Sequence, residues 1–374
     1  MSEKTLFEPV QVGRYTLANR IVMASLTRMR ADYATGIAND LHVTHYAQRA
    51  SAGLLITEAS QVAQIGECFP GSAGIRTVEQ AQGWKKVTDA VHAQKGRIFV
   101  QLWHAGRATH PDLNGGQTPI APSPIAVRGE THTGNGKRPY PVPREMTEED
   151  IQQTIAQFRQ AAYLAMEAGF DGVELHAANG YLIDQFLRDG SNQRTDQYGG
   201  SVENRCRFPL ACLDALIEVW GADRVGIKLT PVGRFNDMFD SDPLATYQYL
   251  LHALSERKLA YVQLVEAVSQ YVEPCGEHLP SGHLQMPEVL KTFRPDYEGF
   301  IITNNGYDYQ TATAVVQTGL AEMVAFGKYY ISNPDLVSRF GQNLPLAPFD
   351  MATFYSPGPA GYTDYPIASV TSIS

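Results

Sequence analysis

Residues 146–178, MTEEDIQQTIAQFRQAAYLAMEAGFDGVELHAA, contain one complete helix pattern followed directly by one strand pattern. Thr147 stands at the N-cap position with Asp150 three residues on, acidic residues fill the first turn, and Gly169 follows the last turn. The run at 172–178 is short and mostly apolar, which is typical of a parallel strand covered on both faces. A helix that leads straight into a buried strand is the repeating unit of α/β folds.

The same unit recurs along the 374 residues of the chain. Short apolar runs rich in β-branched residues predict eight strands, at 21–27, 53–60, 97–104, 172–178, 224–230, 261–267, 299–305 and 322–328. Helical patterns separate them, at 40–51, 78–95, 202–219, 245–257 and 309–318. Eight alternating units predict a single (β/α)8 TIM barrel, with a doubly wound open sheet as the alternative. The length would allow two or three domains of about 150 residues, but barrels hold longer chains, so we expect one domain over 1–374.

Three segments are predicted to extend this barrel. Residues 6–19 have the pattern of a hairpin that closes one end. Residues 105–146 are rich in proline and glycine, which suppress regular helix, and we interpret them as an insertion over the C-terminal mouth of the barrel. A mobile surface loop is the alternative for that insertion. Residues from about 340 to 374 form a C-terminal tail.

Composition excludes several classes of protein. With 44% hydrophobic and 18% charged residues the chain is too apolar for disorder. Its net charge of −9 argues against nucleic acid and anionic membranes as partners and favours small molecules. The cysteines, at 68, 206, 212 and 275, form no C-x-x-C pair, so neither a metal site nor an iron–sulfur run is expected. Reduced cysteines and the absence of an apolar leader or a span of about 20 apolar residues predict a cytoplasmic protein.

Polar residues collect where the predicted strands end, which is where barrel enzymes place their catalytic groups. They are Thr27, Glu58, Ser60, Gln101, His104, His176, Asn179, Lys228, Glu266, Asn304, Asn305 and Lys328. The loops after strands 7 and 8, NNGYD and FGKYYISNPDL, also predict a phosphate site, because Gly306 and Gly327 permit close backbone approach and Lys328 supplies charge. Two other functions remain open: Lys228 would suit a Schiff-base aldolase, and a barrel can bind a ligand without catalysis.

Five segments together resemble the Old Yellow Enzyme family of FMN-dependent ene-reductases. They are NRIVMASLTRMRA (19–31), QLWHAGR (101–107), ELHAANGYLIDQFLRDGSNQRTDQYGGSVENRCRF (174–208), FGKYYISNPDL (326–336) and FYSPGPAGYTDYP (354–366). The resemblance runs from about Leu6 to Pro366. It implies a barrel that holds FMN noncovalently, takes hydride from NADPH or NADH, and reduces an alkene conjugated to a carbonyl or nitro group. We expect a monomer or a homodimer.

The resemblance also implies roles for individual residues. His176 and Asn179 would donate hydrogen bonds to the substrate carbonyl oxygen as it gains negative charge. Tyr181 would protonate Cα, since a phenol with a pKa near 10 keeps its proton at neutral pH. Thr27 would contact both flavin O4 and the substrate, and Gln101 would pair with the pyrimidine edge of the flavin. The remaining cofactor contacts would be Ser25, Ala59, Lys228, Asn305, Gly306, Gly327 and Lys328, and Trp103, Phe235 and Tyr355 would frame the substrate cavity.

The sequence departs from the family pattern at several of these positions. Lys228 and Lys328 stand where arginine is usual, Asn305 where glycine is usual, and Ser25 where proline is common. Lysine keeps the charge but loses the planar fork of arginine, so FMN is expected to be held less tightly. Phe235 and Tyr355 would serve equally well as core aromatics.

Other features of the sequence indicate which branch of the family the chain resembles. Thr27 and Asn179 suggest the founding, yeast-enzyme-like branch. A dienoyl-CoA reductase is disfavoured, because no iron–sulfur cysteine run follows the barrel. Substrate specificity is expected to reside in the loops 105–146 and 268–285.

Overall fold

In the computed structural model, which describes residues 5–266 and 288–368, eight parallel strands close into a barrel. In chain order the strands are β1 Ile21–Met23, β2 Leu54–Gln61, β3 Ile98–Trp103, β4 Gly172–Ala177, β5 Val225–Leu229, β6 Tyr261–Val265, β7 Ile301–Asn304 and β8 Met323–Phe326. Each pairs in parallel with its neighbours in the chain, and β8 closes the ring on β1 through the pair Val324 and Ile21. The predicted (β/α)8 barrel is confirmed, and the open-sheet alternative is wrong.

Helices cover the outside of the barrel and cap its rim. They are α1 Asp40–Gln48, α2 Val78–Ala93, α3 Glu148–Glu167, α4 Leu182–Leu187, α5 Val202–Trp220, α6 Pro243–Arg257, α7 Val289–Phe293, α8 Tyr309–Gln317, α9 Lys328–Ser332 and α10 Leu336–Gly341. The main core lies between the strands and these helices, and includes Trp84, Phe158, Leu213 and Val324. None of the helices in the two described ranges has the length and apolar character needed to cross a bilayer.

Strand β1 is shorter than its sequence pattern predicts. The apolar pattern continues to residue 27, but the strand ends at Met23. Ala24 still donates its N–H to the Phe326 carbonyl (3.0 Å), and the chain then leaves the sheet. Met29 has a left-handed backbone with φ of 57°, which no strand residue adopts. The residues after Met23 therefore form a loop at the rim of the barrel.

A short hairpin closes the N-terminal end of the barrel, as expected for residues 6–19. Its strands, Val10–Val12 and Tyr15–Leu17, pair antiparallel. Val12 and Leu17 pack against Phe99 and other side chains that fill the barrel interior. Gly13 at the turn has φ of 51°, and a Cβ there would lie 1.8 Å from the Asp223 carbonyl oxygen. Any open cavity must therefore lie at the opposite, C-terminal end.

The insertion between β3 and α3 contains extended structure. Ile120–Ala121 pairs with Arg144–Glu145, and Glu130–Thr133 forms an antiparallel hairpin with Gly136–Pro139. This hairpin brings His132 to the cavity described below.

Helix α3 begins with the predicted capping box. Thr147 Oγ1 accepts from the Asp150 N–H at 3.2 Å, and the Thr147 N–H donates to the Asp150 carboxylate at 2.7 Å. Hydrogen bonds from Arg144 and Thr147 hold the pKa of Asp150 well below its usual range. Because the folded-state pKa is lowered, this stabilisation is present at neutral pH and is lost only as the solution becomes strongly acidic.

We expect Thr147→Ala to lower the free energy of unfolding by about 1 kcal/mol, because it removes the cap of α3. Urea unfolding at neutral pH measures this. The matched control is Thr44→Ala, which removes the same atoms from an exposed position inside α1. That change should leave stability unchanged or raise it slightly, since alanine favours helix. Equal effects of the two substitutions would contradict the capping role.

Candidate active site

A cavity of about 600 Å³ opens at the C-terminal end of the barrel. Its size falls within the range of small-molecule sites, roughly 300–1,000 Å³. Most of the residues predicted to contact a cofactor or substrate line it: Ser25, Thr27, Ala59, Gln101, Trp103, His176, Asn179, Tyr181, Lys228, Phe235 and Tyr355. The structure thus brings together residues from four strands, from the loops that follow β1, β4 and β5, and from the C-terminal tail.

The predicted phosphate-loop residues are not among those that line the cavity. Asn305 and Gly306 follow β7 with φ of 86° and 83°, and a Cβ on Gly306 would meet no atom within 4 Å. Gly327 precedes α9, and a Cβ there would lie 3.4 Å from Leu26, a cavity-lining residue. Within the described ranges, the ammonium group of Lys328 forms no ion pair. Gly327 therefore adjoins the cavity, and the cation of Lys328 follows it directly in the chain.

His176 lies on β4 and projects into the cavity beside Lys228 of the adjacent strand. It is buried, and its Nδ1 has no hydrogen-bond partner among the described residues. Burial, and next the charge of Lys228, hold the pKa of His176 well below its usual range. The ring is therefore neutral at pH 7 and carries one N–H donor. A buried polar atom without a partner is unusual and points to a ligand.

Asn179 follows β4 in a left-handed conformation with φ of 57°. Its backbone is fixed on both sides, because its N–H donates to Thr230 Oγ1 at 2.9 Å and its carbonyl accepts from Asn236 Nδ2 at 2.9 Å. Its side-chain amide makes no hydrogen bond to any residue in the described ranges. The amide is therefore available to a ligand.

Tyr181 lies between two other rings of the cavity wall. Its ring centroid is 5.0 Å from that of Trp103 and 5.1 Å from that of His176, both in edge-on contact. Burial, with smaller effects from Cys68 and Tyr140, holds the pKa of Tyr181 well above its usual range. The phenol therefore keeps its proton throughout the neutral range and has a proton to donate.

Gln101 is more constrained than the sequence suggests. Its Nε2 donates to Glu174 Oε1 at 2.7 Å, and its Oε1 accepts from Ser25 Oγ at 2.8 Å. One amide hydrogen and one oxygen lone pair remain, so the side chain still offers a donor and an acceptor. Burial raises the pKa of Glu174 while Lys228 opposes that effect, and burial lowers the pKa of Lys228. Gln101 is thus held in one orientation by its neighbours.

A buried ion pair fixes the loop that carries these groups. Asp184 accepts from the Gly180 N–H at 2.8 Å, from Arg188 Nε at 2.8 Å and from the Tyr247 hydroxyl at 3.0 Å. Arg188 also donates to the Thr230 carbonyl, and Thr230 in turn holds Asn179. Much of the string 174–208 that carries the resemblance thus supports the site instead of contacting a ligand.

Several polar residues at strand ends serve the fold. Glu58 lies 3.1 Å from His42 Nε2, with both side chains fully buried. His104 Nδ1 accepts from the Gly106 N–H, and burial lowers the pKa of His104 to about 3. Glu266 accepts from two backbone N–H groups at the start of α7, and Asn304 donates to the Ala325 carbonyl. Position at a strand end therefore does not by itself identify a site residue.

Four cavity-lining residues were not predicted: Leu26, Met29, Phe69 and His132. Leu26 and Met29 lie within two residues of Thr27, so their position in the same motif could have predicted that they line the cavity. Phe69 stacks on Trp103 with centroids 6.0 Å apart, which no local pattern indicates. His132 belongs to the insertion that was expected over the mouth. The other expected specificity loop, 268–285, lies outside the described residues.

Comparisons with known proteins agree with this arrangement. Residues 5–347 match the family model described as NADH:flavin oxidoreductase / NADH oxidase. The chain is 43% identical over 367 residues to a probable flavin mononucleotide-dependent alkene reductase of Leishmania infantum, covering 96% of this chain and 97% of that protein.

Solved structures are equally similar. Morphinone reductase in complex with tetrahydroNAD has a TM-score of 0.89 and 40% identity, with 98% of each chain covered. An old yellow enzyme homologue from Zymomonas mobilis has a TM-score of 0.92 and 38% identity, covering 98% of this chain and 100% of that one.

We expect Asp184→Asn to destabilise the protein by about 3–5 kcal/mol, because it leaves the Arg188 guanidinium buried without a countercharge. Urea unfolding measures the change. The control is Asp89→Asn, which breaks the exposed pair with Lys85 and should change stability by less than about 1 kcal/mol. Similar small effects of both substitutions would show that the buried pair is not what holds the loop.

Proposed function

The chain belongs to the NADH:flavin oxidoreductase / NADH oxidase family, which includes the Old Yellow Enzyme, and we propose on that premise that it is an FMN-dependent ene-reductase. The expected cofactors, FMN and a reduced nicotinamide, are confirmed by the family match and by the relative solved with a nicotinamide analogue. The observation that carries the proposal is the meeting of three groups in one cavity: side-chain donors of His176 and Asn179 that have no partner in the described part of the chain, and the protonated phenol of Tyr181.

The residues present fit FMN. The cavity has room for a flat aromatic ring system, and Nδ1 of His176 has no partner among the residues that the structure describes. We assign Ser25, Thr27, Ala59, Gln101 and Lys228 to the ring of FMN, and Asn305, Gly306, Gly327 and Lys328 to its phosphate. When bound, FMN supplies hydride transfer from the nicotinamide to the alkene.

The chain's own residues then activate the alkene. The His176 N–H and the Asn179 amide hold the substrate carbonyl or nitro oxygen, which gains negative charge as hydride arrives at Cβ. Neutral imidazole suits this role, because it donates one hydrogen bond without protonating the oxygen. Tyr181 gives its proton to Cα and takes one back from solvent before the next cycle. Thr27 contacts both the flavin and the substrate. The rings of Trp103, Phe235 and Tyr355 limit the shape of the substrates that can enter the cavity.

Both half-reactions use the same cavity, so we propose a ping-pong cycle in which the oxidised nicotinamide leaves before the alkene enters. We propose NADPH as the donor; NADH is measured beside it, since morphinone reductase was solved with tetrahydroNAD. We also propose a single domain, a cytoplasmic location, and the founding branch of the family on the evidence of Thr27 and Asn179.

A spectrum of the purified protein tests the class of function. An ene-reductase is yellow, loses its flavin absorbance on addition of nicotinamide, and regains it with an activated alkene. A Schiff-base aldolase using Lys228 would be colourless and would be trapped by borohydride with its substrate. A barrel that only binds ligand would not oxidise nicotinamide when the alkene is added.

We expect Tyr181→Phe to slow alkene reduction by about a hundredfold or more while leaving flavin reduction by nicotinamide within a few fold, because only alkene reduction needs the proton. Stopped-flow absorbance separates the two steps. The control is Tyr330→Phe, which removes a buried hydroxyl away from the cavity. Equal slowing of both half-reactions by Tyr181→Phe would contradict the role as proton donor.

We expect His176→Leu to weaken the binding of phenols and enones by about tenfold, the effect of losing one hydrogen bond to a developing or full negative charge. Titration of the flavin absorbance with para-hydroxybenzaldehyde measures this. Unchanged affinity in the FMN-loaded variant would show that His176 does not hold the ligand oxygen.

A further inference from the structure

The loop after β1 presents different residues to two sides. Thr27 and Met29 line the cavity, whereas Arg28 and Arg30 turn away and are each only 3% exposed. Neither guanidinium has a carboxylate within ion-pair distance in the described ranges. A buried cation is costly unless it is paired or fully hydrogen-bonded, so the groups that receive these guanidinium hydrogens matter.

The acceptors are backbone carbonyls of the C-terminal tail. Arg30 donates to the carbonyls of Thr353 (2.7 Å), Phe354 (2.7 Å) and Ala360 (3.0 Å). Arg28 donates to the Phe354 carbonyl at 3.0 Å and to the Gly361 carbonyl at 2.7 Å. We call residues 353–362 the C-terminal strap. The strap carbonyls thus receive most of these hydrogens, while one terminal nitrogen of Arg28 has no hydrogen-bond partner among the described residues.

Tyr362 completes this anchor. Its ring lies 4.7 Å from the Arg30 guanidinium and 5.3 Å from that of Arg28, as cation–π contacts. The same ring stacks on His45, with centroids 3.9 Å apart. Apart from Tyr362 and Gly361, the side chains of the strap are half-buried or exposed, so little apolar burial holds it in place. The hydrogen bonds from Arg28 and Arg30 therefore hold residues 353–361, and a contact of 3.0 Å between His45 Nδ1 and the Tyr362 carbonyl oxygen holds the end of the strap.

Tyr355 stands inside the strap and lines the cavity while remaining 59% exposed. The residues on both sides of it are held by Arg30, through the Phe354 carbonyl and through Ser356 Oγ at 3.4 Å. The Tyr355 ring has no side-chain hydrogen bond in the described ranges to fix it independently. Its position over the cavity thus depends on the backbone that the arginines hold.

We propose that Arg30, supported by Arg28, is a positioning residue that sets substrate specificity by fixing Tyr355 over the cavity. The ligands that respond are flat cyclic enones and phenols, which would stack against the exposed rings of Tyr355 and Phe235 at the rim. The inference rests on the proposed function, because it concerns the same cavity. Lifting the strap would break the hydrogen bonds that both guanidinium groups make to its carbonyls, and this loss opposes displacement of the rim.

The test compares Arg30→Lys, Tyr355→Ala and the double variant as FMN-loaded proteins. Lysine keeps the charge but cannot reach several divergent carbonyls at once. We expect each single substitution to lower the affinity for para-hydroxybenzaldehyde by about fivefold to twentyfold. The double variant should bind it no less tightly than the single variant with the lower affinity. The KM for cyclohexenone should rise more than kcat falls, and proteolysis within the strap should speed up in Arg30→Lys.

Arg339→Lys is the matched control. Arg339 is also buried and also donates to tail carbonyls, those of Pro345 and Pro366, which lie outside the strap. It should leave phenol affinity unchanged. Additive losses in the double variant, or wild-type phenol affinity in FMN-loaded Arg30→Lys, would overturn the inference. A wild-type protein that is colourless or inert to nicotinamide would instead refute the proposed function.

Discussion

A closed barrel of parallel strands imposes one constraint on this molecule: all of its strands end at the same rim. The hairpin fills the other end with Val12 and Leu17, so only the C-terminal rim is left for polar side chains. Thr27, Gln101 and His176 are far apart in the chain and meet there because each lies near the C-terminal end of its strand or in the loop that follows. The hydrogen-bond donors of the cavity are therefore brought together first by the common direction of the strands and only second by any local motif.

Strand and helix positions were predictable because they depend on local patterns. The apolar period located all eight strands, and Thr147 with Asp150 located the start of α3. Locating the site was harder, because strand-end position selects Glu58 and His104 as readily as His176. Of these three, only His176 lines the cavity, and which side chains reach it depends on contacts between distant segments. The resemblance to a known family separated them where residue type and position could not.

The features that the sequence did not predict are all contacts made by loops, and they share one physical cause. The strap carbonyls that accept from Arg28 and Arg30 are more than 300 residues away in the chain. His132 reaches the cavity through the path of a hairpin, and Met29 through a left-handed turn. Each depends on how loops run over the finished barrel, and loop paths leave no periodic signal. The early end of β1 has the same origin, since an apolar run continues past the point where the chain turns away.

The closure of β8 on β1 also determines when the site comes into existence. Synthesis begins at the N-terminus, so Ile21 cannot pair with Val324 until nearly nine-tenths of the residues have been made. Arg28 and Arg30 form their hydrogen bonds later still, because the accepting carbonyls lie between residues 353 and 361. Until then two cations and the edges of two strands stay open to solvent and to other chains. A flavin site that needs the closed barrel and the strap is therefore complete only at the last stage of the molecule's maturation.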